Sequence, residues 1–312
     1  MASSVAAPSR SPSFVWCALG TAALTWALIV FGAVVRVTDS GLGCGTDWPL
    51  CNGTVFPPLD NLTAWIEWLH RLFALLIGLC GLATLALAWR DFRKQDARVL
   101  RLAMLAAFFF LLQSGLGAVV VFWELPPTFV TLHLGVAMLL LAALLAAALV
   151  AWHHPQPRRP GDSLSELAGV NAAFALLIIL TGALVRGSGA TLACVEWPLC
   201  YAGILLPVEE GLLAVIHMTH RFSVAAMAVT LLFLAWRSWR RRALVRRMAM
   251  AAALVYLLQI GVGGLFVISA AGPVWGAVHV GLAAAVWGLL VCLFVIERLA
   301  LRARRPIEKS MA

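Results

Sequence analysis

The chain has 312 residues, of which 62% are hydrophobic and 12% charged, with a formal net charge of +9. Soluble domains carry roughly 45–50% apolar and about 25% charged residues. The composition therefore excludes a disordered chain and a disulfide-rich miniprotein, and argues against a soluble enzyme, because so much apolar surface needs lipid to cover it. In chain order, eight stretches reach the roughly 20 apolar residues that cross a bilayer. They are Phe14–Val37, Trp65–Trp89, Val99–Phe122, Phe129–Trp152, Leu167–Val185, Leu212–Trp236, Met248–Ala270 and Val274–Ile296. They are Leu/Ala-rich and lack the alternation of barrel strands, so they are predicted as helices that satisfy their own backbone hydrogen bonds. The first is too long, and too poorly followed by a cleavage site, for a removable signal peptide.

Charge placement predicts orientation. With the N-terminus in the cytoplasm, nineteen of the 23 basic residues fall in inner segments, from Arg10 through Arg90–Arg101, Arg158–Arg159 and Arg237–Arg247 to Arg298–Lys309. The other four, Arg36, Arg71, Arg186 and Arg221, mark the outer ends of spans. Both termini are predicted cytoplasmic, in a bacterial plasma membrane. The positive charge is thus read as a topology signal and as contact with lipid headgroups, with no implication of nucleic acid.

The two halves repeat each other. GAVVRVTDSGLGCGTDWPLC, from Gly32 to Cys51, returns as GALVRGSGATLACVEWPLC, from Gly182 to Cys200. Arg36 pairs with Arg186, Cys44 with Cys194 and His70-Arg71 with His220-Arg221, each 150 residues on. Gln113 and His133 pair with Gln259 and His279, each 146 on. Four spans per repeat insert both copies the same way up. The prediction is an all-α polytopic membrane protein whose eight transmembrane helices form two tandem four-helix bundles, related by a pseudo-two-fold axis along the membrane normal. The bundles span residues 1–153 and 166–312, the second with a basic cytoplasmic tail, joined by a Pro-rich cytoplasmic linker at 154–165.

His70, His133, His220 and His279 fall inside spans 2, 4, 6 and 8, each roughly 10 Å from the outer surface by helix rise. Ionisable groups inside a membrane are costly and mark function. Two imidazoles at one level on facing helices suit the axial positions of a haem. Zinc would want further ligands, and none repeats in both halves. A proton relay would want a chain of carboxylates, and none is there. Arg71 and Arg221, and with less weight Arg36 and Arg186, are candidates to pair with haem propionates, against snorkelling to headgroups. Gln113 and Gln259 are expected to make interhelical hydrogen bonds.

The halves differ at one telling place. Glu67 precedes His70 by three residues, on the same helix face, whereas His217 stands at the equivalent position before His220. The half with Glu67 has a group able to move protons or stabilise a developing cation. The half with His217 looks more like a resident cofactor site. Cys44 and Cys51, and Cys194 and Cys200, lie on the oxidising side and are expected to form disulfides that shape their loops, with a redox role open for the first pair.

The stretch Gly32–Gly53, the sequence Glu67-x-x-His70-Arg71 and the duplicated histidines together resemble the haem A synthase family, over about residues 14–297. The resemblance implies an eight-helix oxidoreductase that oxidises a methyl of haem O to the formyl of haem A for terminal oxidase assembly. By position, His220 and His279 would ligate a resident haem b, and His70 and His133 would hold the substrate haem O near a catalytic Glu67. Water is the preferred oxygen source, with oxygen activation at a haem iron as the rival. Implied partners are haem O synthase, oxidase assembly factors, membrane lipid and an electron acceptor or donor. The competing readings are a di-haem b electron-transfer cytochrome and a duplicated transporter.

Overall fold

A computed structural model describes residues 11–152 and 163–302. The described residues include eight long helices: α1 (Pro12–Val37), α2 (Leu62–Phe92), α3 (Ala97–Phe122), α4 (Pro127–Trp152), α5 (Leu164–Gly187), α6 (Leu212–Ser238), α7 (Ala243–Ile268) and α8 (Pro273–Arg302). All eight are long and apolar enough to cross a membrane. Most of the linker, its arginines Arg158 and Arg159, and tail residues Arg304, Arg305 and Lys309 lie outside the described residues.

The helices run past the apolar stretches at several ends. Hydropathy marks the lipid-embedded part, whereas capping sets where a helix begins. Ser11, Asn61 and Asp96 cap α1, α2 and α3 by accepting from the backbone N–H of Phe14, Ala64 and Arg98. Helix α7 begins at Ala243 and takes in Arg246 and Arg247, because a charge does not interrupt a helix. It ends at Ile268 and not at Ala270, since Ala270 and Ala271 turn with φ of 52° and 65°. Glu124 and Leu125 make the same left-handed pair, at 55° and 62°, between α3 and α4.

Within each half the helices close a ring: α1 packs on α2 and α4, and α3 on α2 and α4, with α5 to α8 repeating the arrangement. Between halves, α1 meets α8, α4 meets α5, and α4 meets α8. That set is unchanged when α1 is exchanged with α5 and α4 with α8, as a pseudo-two-fold requires. The close approaches obey it too. A Cβ on Gly281 of α8 would lie 3.0 Å from Val30 of α1, and one on Gly135 of α4 would lie 3.2 Å from Leu180 of α5. Small residues let helices approach where no hydrophobic drive separates them from lipid. Two indoles add hydrogen bonds across this seam, Trp26 to the Gly281 carbonyl and Trp287 to the Met138 carbonyl, both at 3.0 Å.

The main core is rich in small and branched residues of α4, α5, α7 and α8. Large apolar side chains such as Leu79, Leu111, Val229 and Leu254 are exposed outward, where lipid would cover them. Helix alternation gathers Arg90, Arg98, Arg101, Arg237, Arg246 and Arg298 at one end, the basic end. The cysteine loops, Arg36, Arg71, Arg186 and Arg221 share the opposite, loop end.

Candidate functional site

His70 stands eight residues into α2 and His133 six residues into α4, so both lie about 9–12 Å below their helix starts at the loop end. His220 and His279 repeat those depths in α6 and α8. Helices α2 and α4 are diagonal in their ring, as are α6 and α8, so each pair looks across a bundle core. The rings of His70 and His133 are close enough to interact electrostatically, and so are those of His220 and His279. All four histidines are partly buried residues.

Each histidine rests against a glycine of the other diagonal. A Cβ on Gly32 would lie 3.2 Å from His70 Nε2, and one on Gly117 would lie 3.2 Å from His133 Cε1. One on Gly182 would lie 3.1 Å from His220 Cε1, and one on Gly263 would lie 2.9 Å from His279 Cε1. The reading from residue types missed these four positions. Their signal was present: Gly32 and Gly182 open the repeated motif, and Gln-x-Gly-x-Gly recurs at Gln113–Gly117 and Gln259–Gly263. Gly263→Ala is expected to destabilise the protein, because overpacking of about 1–3 kcal/mol exceeds the roughly 1 kcal/mol that Ala gains over Gly in a helix. Gly81→Ala, with nothing within 4 Å of the added Cβ, should be neutral or stabilising. Thermal unfolding in detergent checks the pair.

The interhelical hydrogen bonds expected of Gln113 and Gln259 are not made by their side-chain oxygens, which are buried without a partner. Instead their backbone carbonyls lie beside the His133 and His279 rings. The Nδ1 atoms of His133 and His279 are likewise buried with no hydrogen bond meeting full geometry.

The two disulfides join Cys44 to Cys51 and Cys194 to Cys200, and all four cysteines are fully buried. Each loop is clamped to its helix by an arginine. Arg71 donates to the carbonyls of Asp47 and Leu50 at 2.8 and 2.6 Å. Arg221 donates to Glu196, Leu199 and Cys194 carbonyls at 2.8, 2.8 and 3.0 Å. This clamp is a role the sequence did not reveal, because the loops meet these arginines only in three dimensions. Gly43 allows the first loop to press on the start of α2, since a Cβ there would collide with the Thr63–Ala64 backbone.

Glu67, 4% exposed, is held on both oxygens. Oε2 accepts from the Cys44 backbone N–H at 2.9 Å and Oε1 accepts from Arg71 at 2.5 Å. In the other half, Arg221 lies 3.2 Å from His217 Nε2. A guanidinium cannot accept a hydrogen bond, so that nitrogen is the unprotonated one. A carboxylate thus compensates Arg71, while a neutral imidazole leaves the charge of Arg221 uncompensated. Arg36 and Arg186 converge near the seam on one carboxylate, Asp39, at 3.9 and 3.3 Å. A cavity of about 360 Å³ beside Asp39 and Arg186 opens there, away from the histidine pairs.

The fold and these positions define a duplicated, eight-helix membrane protein with two intramembrane histidine pairs under disulfide-closed loops. The chain belongs to the COX15-CtaA family of cytochrome oxidase assembly proteins, which matches residues 15–291. Among its relatives is a heme A synthase of Symbiobacterium thermophilum, 36% identical over 87% of this chain and 91% of that protein. Heme A synthases of Exiguobacterium sp. and Geobacillus kaustophilus are 32% and 31% identical, covering 84% and 96% of this chain and 86% and 95% of their own lengths.

Proposed function

We propose that the chain is a haem A synthase, which oxidises a methyl of haem O to the formyl of haem A for terminal oxidase assembly. The observation that carries the reading is a duplicated histidine pair in which one half alone has a buried carboxylate, Glu67, one turn before its first histidine, where the other half has His217. The names of its relatives agree. In this reading residues 1–153 form the substrate half, 154–165 the linker and 166–312 the half with a resident haem b. The N- and C-termini face the cytoplasm of a bacterial plasma membrane, and the site lies toward the outer face.

The residues present fit such a haem. His220 and His279 stand at matching depth on diagonal helices, Gly182 and Gly263 let their rings seat against α5 and α7, and the Gln259 side-chain oxygen and His279 Nδ1 are buried with no hydrogen bond of full geometry. When bound, a bis-histidine haem supplies one-electron redox chemistry. The chain's own residues do the rest. His70 and His133 hold the iron of the substrate, haem O. Glu67, fixed by Arg71 and the Cys44 N–H, sets negative charge where positive charge develops at the substrate methyl carbon, and accepts a proton as water adds. Arg221 and Arg71 act first as loop clamps; Arg221, which no carboxylate offsets among the described residues, is a candidate partner for a propionate, and Arg36 and Arg186 are further candidates. In the C-terminal half His220 and His279 would hold the resident haem, and it would supply electron transfer there. The buried disulfides shape their loops. Haem O synthase, oxidase assembly factors and an electron acceptor are the partners this chemistry requires.

Expression in a host that makes haem O, followed by chromatography of extracted haems, should yield haem A. None, with folded protein and confirmed haem O, would sink the function. The matched depths of the two histidine pairs and the glycine against each ring favour one second reading, a di-haem b electron-transfer cytochrome. It predicts two resident haems in equal amount and no product.

A further inference from the structure

The duplicated sites differ in what holds the first histidine of each pair. In the C-terminal half, the Thr181 hydroxyl of α5 lies 3.0 Å from His220 Nδ1. The same hydroxyl donates its one hydrogen to the Ile178 carbonyl at 2.9 Å. With that hydrogen on Ile178, the hydroxyl accepts from His220. Nδ1 is then the protonated nitrogen, and the Nε2 lone pair is free for a metal. The position 150 residues earlier is Phe31. Its ring lies 6.2 Å from the His70 ring, tilted by 39°. A phenyl ring gives neither donor nor acceptor, and His70 has no hydrogen-bond partner among the described residues. The rings also sit differently: His70 turns Nε2 toward the Gly32 position, whereas His220 turns Cε1 toward Gly182.

We propose that Thr181 is a positioning residue that locks the tautomer and ring plane of His220 for a retained iron porphyrin, and that Phe31 leaves His70 unlocked so that its porphyrin can bind and leave. The proposal rests on the haem reading above and deepens it. A partner on the second ring nitrogen orients an imidazole ligand and raises its basicity. A retained cofactor gains from that restraint. A substrate site that must release its product each cycle is better served without it. The asymmetry also explains how one duplicated scaffold could hold one haem and exchange another with the same ligand type.

The test uses the full-length protein purified in detergent, with iron protoporphyrin IX as the probe. Thr181→Val keeps the side-chain volume and removes the hydroxyl; Thr181→Ser keeps the hydroxyl. Helix content and gel filtration establish that each is folded. Thr181→Val should weaken haem binding about 10–100-fold, the usual cost of losing such an outer partner, and move the midpoint potential to a more positive value. Thr181→Ser should restore both. The reciprocal Phe31→Thr should raise the amount of haem retained by the N-terminal half, measured in a His279→Ala background. Thr181→Val with unaltered affinity and potential overturns the proposal. So does Phe31→Thr with no gain, which also decides the matter if Thr181→Val does not fold. A folded, unaltered chain with no haem affinity overturns the haem reading itself, a result distinct from either.

Discussion

Glu67→Gln is expected to lower haem A formation by about a hundredfold or more, the range over which a positioned acid or base contributes. The carboxylate accepts at both oxygens, from Arg71 and from the Cys44 N–H. An amide can satisfy one of these donors with its oxygen. It then turns its NH2 toward the other, donor against donor, and the negative charge is gone. Haem A per folded protein, from extracted haems, is the readout. Haem b content should stay unchanged, because His220 and His279 belong to the other half. A variant that makes haem A at the normal rate would remove Glu67 from the mechanism. A variant that loses haem b as well would show that the first loop supports the whole fold.

Removing one histidine from each half should give unlike phenotypes. His279→Ala is expected to abolish the Soret band of the purified protein, since loss of an axial ligand costs at least the roughly 10–100-fold that an outer partner does. His133→Ala should retain haem b and make no haem A. The geometry around the two residues is nearly the same: a glycine lies against each ring, and a glutamine carbonyl lies beside each. A difference in phenotype would therefore come from what surrounds the pairs, namely Glu67 against His217 and Phe31 against Thr181. Identical haem loss from both variants would favour the di-haem cytochrome.

Much of this protein is legible in its sequence because lipid imposes a strict rule. Eight apolar stretches must be helices, since no water is present to satisfy their backbone. The repeat offsets of 150 and 146 then fix which helices correspond, and they place the histidines at matched depths. Helix ends were less legible. The turn at Ala270–Ala271 is built from alanines that hydropathy counts as part of a span. The glycines opposite the histidines were visible as letters but not as partners, because a glycine's role depends on what a neighbouring helix brings toward it.

The order of residues alone specifies the helix count, the duplication, the basic end, and the histidines, Glu67 and arginines offered as candidates. Only the tertiary structure decided how those residues are used. Arg71 and Arg221 hold loop carbonyls, a job invisible in sequence because the carbonyls belong to every residue alike. Glu67 is bound to the disulfide loop through a backbone N–H. Thr181 meets His220 across 39 residues, and Phe31 occupies its place beside His70. The physical reason is common to all of these. Hydropathy and period specify which face of a helix is buried, whereas hydrogen-bond pairing depends on the rotation and spacing of helices packed against each other.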